Sequence, residues 1–198
     1  MMFLRTESFK QFVRLYPVVT TIIAINIVLF ILTNFISEDL KLQLSGQNIL
    51  IANGDYYRLV SAIFVHFGLF HIVMNCFGLI LFGPPLEKML GKTKFIVTYL
   101  LMGIIGNVGT YYLGNPFVIH AGASGAIYGL FGLYLFMILM KKHLIDYQSR
   151  QIVIVILVIG LIMTFIRPGI NIYAHIFGLI AGLALGPLVL NKLKTFYY

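Results

Sequence analysis

Four polar side chains, Ser124, His175, His71 and Asn75, lie inside long apolar runs, where a polar group is costly and normally faces a partner or a functional cavity. A serine hydroxyl is a weak nucleophile until a neighbouring base accepts its proton, and neutral histidine suits that task near pH 7. Ser124 would attack a peptide carbonyl while His175 takes the proton and returns it to the leaving amine. The oxyanion so formed needs donors in a water-poor site. His71, Asn75 and the backbone N–H of Ser124 are the available ones. His71 and Asn75 are four residues apart, on one face of a helix and about 6 Å apart along its axis.

The elements that would hold these groups follow from composition. Of 198 residues, 60% are hydrophobic and 10% charged, with a mean hydropathy of +0.97, far too apolar for a soluble domain of this size. A hydrocarbon core about 30 Å thick takes roughly 20 helical residues to cross. Six apolar segments, 17–36, 67–83, 95–113, 124–140, 151–166 and 172–190, predict an all-α polytopic membrane protein, a six-helix bundle. The expected organisation is a short cytoplasmic lead-in at 1–16, the membrane domain at 17–191 and a cytoplasmic tail at 192–198.

With both termini inside, eleven basic residues fall in inner segments and only Lys41, Arg58 and Arg167 outside, as expected where short cytoplasmic segments collect Lys and Arg. The net charge of +8 is scattered between apolar runs and does not indicate nucleic-acid binding. The lone Cys76 excludes an internal disulfide and reads as a packing residue.

In this arrangement the second, fourth and sixth helices all enter from the outer face, which puts Ser124, His175, His71 and Asn75 at one shallow depth. Small residues recur every four positions at Ala121, Gly125 and Gly129 and again at Ala174, Gly178, Gly182 and Gly186, a pattern that lets membrane helices pack closely. Ser124 precedes a member of the first stripe and His175 follows a member of the second. Contact between the stripes would bring hydroxyl and imidazole to roughly 3 Å.

No acidic residue is placed to complete a triad, so a Ser124/His175 dyad is expected, with Tyr128, one turn below Ser124, packing against the His175 ring. His66 is expected to stabilise the first outer connection. His120 would touch substrate or cap the following helix, Asn107 would bond between helices, and His143 would be solvated. The connection 37–66 is apolar enough to lie on the membrane surface, and the uncharged loop 114–123 fits burial at membrane depth. No metal site is expected, since the histidines lack carboxylate or cysteine company and HExxH is missing; no cofactor is required.

The run Gly122-Ala123-Ser124-Gly125 with Tyr128-Gly129, the pair Ala174-His175 with Gly178, and the segment from His66 to Asn75 together resemble the rhomboid intramembrane proteases. The resemblance covers most of 57–182. It implies a six-helix core, a Ser124/His175 dyad, His71 and Asn75 at the oxyanion site and Tyr128 supporting the histidine. It also implies substrates that are single-span membrane proteins with a helix-breaking segment near the outer face and a small residue before the cut. The spacing Gly83, Glu87, Gly91 resembles the family's structural turn. Tyr57-Arg58 stands where the family commonly has Trp-Arg, a change expected to affect packing of the first outer connection. The rival functions are a catalytically silent relative that binds and escorts membrane proteins, and a small transporter. Both Ser124 and His175 are present, against the first, and the lower half of the sixth helix offers no ionisable steps, against the second. A prokaryotic plasma membrane with both termini cytoplasmic is the expected location.

Overall fold

A computed structural model describes residues 2–191 and 193; most of the expected tail 192–198, with Lys192 and Lys194, and the first residue of the lead-in lie outside the described residues. The chain runs through helices α1 (Phe9–Leu15) and α2 (Pro17–Ile31), the latter continuing as a π-helical turn Leu32–Ile36. Then come α3 (Glu38–Leu44), strand β1 (Gly46–Gln47), α4 (Asn48–Ala52) and α5 (Arg58–Ser61). The remainder is α6 (Leu69–Leu90), α7 (Lys92–Leu113), β2 (Ile119–His120), α8 (Ser124–Met140), a 3₁₀ turn Lys142–Leu144, α9 (Tyr147–Ile166) and α10 (Ile172–Leu190).

Five of these segments, Pro17–Ile36, Leu69–Leu90, Lys92–Leu113, Tyr147–Ile166 and Ile172–Leu190, are long and apolar enough to cross a membrane. The apolar Ser124–Met140 is shorter, at 17 residues. It is also the central element: almost every residue from Gly125 to Met137 is buried. A helix apolar on all sides must be surrounded on all sides, and α6, α7, α9 and α10 surround it.

The closest packing is between α8 and α10, and the glycines explain it. A Cβ on Gly178 would run into the Gly125 carbonyl, one on Gly182 into that of Gly129, and one on Gly132 into that of Leu179. The two stripes do meet, backbone against backbone. By contrast α9 buries only Ser149, Val153, Leu157 and Thr164, a single stripe, and exposes Val155, Val158, Ile159, Ile162 and Phe165.

Helix α6 outruns its expected end at residue 83 and passes through Pro84 and Pro85 to Leu90. Each proline removes an N–H and frees a carbonyl four residues earlier. The Leu81 carbonyl freed by Pro85 accepts from the Arg5 guanidinium at 3.4 Å, and its neighbour Phe82 O accepts from the Tyr134 hydroxyl at 2.7 Å. One turn on, buried Glu87 accepts from the N–H groups of Val18 and Val19 at 2.9 and 2.8 Å, satisfying the open N-terminus of α2 just after Pro17.

The segment ahead of α1 is tied to the bundle. Met2 and Phe3 are buried; Met2 N–H donates to Asp146 and Ser149 at the start of α9, and the Phe3 ring meets Phe82 and Tyr134 edge-on.

The connection between α2 and α6 folds on the buried Arg58, whose guanidinium reaches the Asp55 carboxylate at 2.9 Å and the carbonyls of Leu42 and Ser45 at 2.8 and 2.9 Å. Tyr57 donates its hydroxyl to Gln43 O, and Asn107 of α7 donates to Leu59 O, so its partner is this connection rather than another long helix. The loop between α7 and α8 is held against this connection by the antiparallel pair Gly46–His120 and Gln47–Ile119, and by Asn48, which donates to Thr110 O and Asn115 O.

Candidate active site

Ser124 is the first residue of α8, and the loop that delivers it is fixed from two sides. Gly122 N–H donates to Ala62 O at 2.8 Å, and Ala123 N–H reaches His66 Nε2 at 3.5 Å. Gly122 has φ +122°, a conformation that glycine alone adopts without strain. A Cβ there would also lie 2.5 Å from His71 Nε2. The imidazole of His71 is thus laid on the backbone of the loop that presents Ser124.

His175 sits one turn into α10, directly after Ala174. A Cβ on Gly125 would lie 3.3 Å from Ala174 O, so the residues flanking Ser124 and His175 are in contact. The direct hydrogen bond expected between the two side chains is not formed; the Ser124 hydroxyl is half-buried and has no hydrogen-bond partner among the described residues. Nucleophile and base pairs are often long or misaligned before substrate is bound.

The ring of Tyr128 stacks on His175 with centroids 4.0 Å apart and planes 14° from parallel. The Tyr128 hydroxyl lies over Gly160, where a Cβ would come within 2.8 Å of it. A residue that belongs to none of the sequence motifs completes the group. Thr164 of α9, buried, has its Oγ1 2.8 Å from His175 Nδ1, 2.9 Å from the Tyr128 hydroxyl and 2.8 Å from Gly160 O. No sequence signal marks it. A membrane-helix threonine bonding back to its own i−4 carbonyl is ordinary.

Asn75 is buried and donates one amide hydrogen to His71 O at 2.8 Å, one turn back on α6, which leaves its second amide hydrogen for another acceptor. His66, fully buried in the connection before α6, bonds through Nδ1 to Phe64 O; burial and then the proximity of His71 push its pKa down to about 3. It is therefore a neutral tie between two loops. His120 neither caps α8 nor points outward. Its ring lies flat against Gly46, both nitrogens lack partners, and burial pushes it down to about 4. Among the described residues no three His, Cys, Asp or Glu side chains converge on a point that could hold a metal.

Comparison with known proteins points the same way as the motifs. The pattern that defines the Rhomboid domain matches residues 53–192. The chain is 43% identical over 199 residues to the "Putative rhomboid protease YdcA" of Bacillus subtilis, covering 99% of this chain and 100% of that protein. It is 35% identical to the "Rhomboid protease GluP" of the same bacterium over 69% of this chain and 26% of that longer protein. With "RHOMBOID-like protein 6, mitochondrial" of Arabidopsis thaliana it shares 34% identity, over 72% of this chain and 46% of that one.

Proposed function

Because the chain belongs to the rhomboid family, we propose that it is an intramembrane serine endopeptidase that cuts single-span membrane proteins near the outer face of the bilayer. In this reading α8 is the fourth of six membrane helices. It is short because it starts below the surface, at the floor of a hydrated cavity where Ser124 waits. Both termini are cytoplasmic, an orientation supported by the distribution of Lys and Arg along the sequence, and the membrane is a prokaryotic plasma membrane.

Ser124 Oγ attacks the scissile carbonyl as its proton passes to His175 Nε2. The oxyanion receives the Ser124 backbone N–H, the free amide hydrogen of Asn75 and the His71 imidazole, which lies on the same loop. His175 then protonates the departing amine, and water, activated by the same imidazole, releases the acyl group from Ser124. The observation that supports the proposal is the close backbone approach of Gly125 to Ala174 and Gly178, the chain neighbours or near neighbours of the two proposed catalytic residues on two different helices.

The test is cleavage of a single-span substrate in liposomes by the wild type, Ser124→Ala and His175→Ala. Cleavage by the wild type and background rates in both folded variants are the expected result. Undiminished cleavage by Ser124→Ala would refute the mechanism, and a wild type silent across several substrates would favour the escort reading.

A further inference from the structure

We propose that Thr164 is the positioning residue of this hydrolysis, its hydroxyl holding His175 in the tautomer whose Nε2 is bare and ready for the Ser124 proton. The inference rests on the protease reading above and adds to it a third participant from a third helix.

The protons available at Thr164 decide the tautomer. A hydroxyl has one hydrogen to give and two lone pairs to receive with. Thr164 Oγ1 has three partners within 3 Å: Gly160 O, the Tyr128 hydroxyl and His175 Nδ1. A backbone carbonyl only accepts, so the Thr164 hydrogen is committed to Gly160 O. Both lone pairs must then be filled from the other two partners. Tyr128 gives its O–H, and His175 gives Nδ1–H. In a neutral imidazole one nitrogen carries the hydrogen and the other is the acceptor, so Nε2 is left as the base.

Burial makes the count binding. Thr164 is 1% exposed and His175 7%, so water does not substitute for a missing partner at this hydroxyl. Two constraints of different kind then act on one ring. Tyr128 stacking fixes its plane, and Thr164 fixes its rotation within that plane and its tautomer. When His175 accepts the Ser124 proton it becomes a donor at both nitrogens, and the Nδ1–H bond to Thr164 is already in place, so no hydrogen bond is broken in the step.

In a Ser-His-Asp triad the carboxylate does this work and also stabilises the imidazolium by its charge. A threonine can supply only the first half, so its removal should cost less than the roughly 10⁴-fold that follows when a triad aspartate is replaced by its amide.

The experiment compares wild type, Thr164→Val and Thr164→Ser, each the full chain in liposomes with a single-span substrate, alongside Ser124→Ala. Valine keeps the shape and removes both lone pairs; serine keeps them. Thr164→Val is expected to lose about tenfold to a hundredfold in kcat with KM unchanged, and Thr164→Ser to recover most of that loss. Isotope-labelled histidine NMR on the folded proteins supplies a readout that mere packing would not move. The wild type and the serine variant should show a protonated Nδ1 and a bare Nε2, and the valine variant a mixture or the reverse.

A valine variant with wild-type kcat, a loss that serine does not restore, or a wild-type ring with Nδ1 bare would overturn the inference while Ser124-dependent cleavage stood. Cleavage absent in the wild type, or independent of Ser124, would remove the protease reading and this inference with it.

Discussion

At the scale of single residues, two histidines outside the catalytic proposal should govern how the segments 37–66 and 114–123 respond to acid. His66 and His120 are held at about 3 and about 4 against an ordinary 6.5, burial being the first cause in each. The packed loops therefore refuse a proton that the opened loops accept. Their contribution to stability is complete above pH 6.5 and is lost as the pH falls toward about 4 for His120 and about 3 for His66. The slope is about 1.4 kcal/mol per pH unit for each ring while only the opened form titrates. His120→Phe is the informative variant, because His120 has no hydrogen bond to lose. Melting temperature against pH should fall less steeply below pH 6.5 in this variant than in the wild type; an unchanged slope would show that His120 is not among the titrating groups.

Among the elements, α2 and α6 are joined by a carboxylate rather than by packing alone. Glu87 takes the first open N–H groups of α2 while sitting buried beside them, a place where a negative charge also meets the positive end of the helix. Glu87→Gln retains an acceptor and loses the charge, and should lower stability by about 1 kcal/mol. Glu87→Ala strands two donors and should cost about 2 kcal/mol or more. Denaturant unfolding in detergent measures both, and equal losses in the two variants would argue against a capping role. Cleavage by the folded fraction should be unaffected, since Glu87 lies at the far end of α6 from His71.

The elements also show what a sequence can reveal. The apolar segments and the two small-residue stripes were legible because each is periodic, and the stripes meet as their spacing implied. Glu87 was legible only as a member of a spaced motif, since its partners are backbone amides 69 and 68 residues away that no side-chain pattern announces. The β1–β2 pair was missed because two-residue strands have no period to read. The continuation of α6 was missed because Pro84-Pro85 reads locally as a stop, while the groups that take up carbonyls beside it, Arg5 and Tyr134, come from elsewhere in the chain. Thr164 escaped for a like reason: its local bond to Gly160 is commonplace, and its bond to His175 exists only once α9 is seated against α8 and α10.

Over the whole molecule, packing is uneven in a way that separates ageing from melting. The α8–α10 pair is joined backbone to backbone, whereas α9 rests on one stripe of four buried residues. Heating in detergent should therefore loosen α9 first. The helices would still be helices, and the zipped pair would still hold Ser124 beside His175, yet Thr164 would have left the ring. Inactivation is expected several degrees below the loss of helical signal, and early inactivation should be reversible on cooling. Residual cleavage, circular dichroism and hydrogen exchange across 147–166, recorded on one temperature ramp, test this; coincident loss of all three would mean that α9 is held as firmly as its neighbours. A preparation judged intact by its helix content alone could thus be one whose proposed base has already lost its bearing.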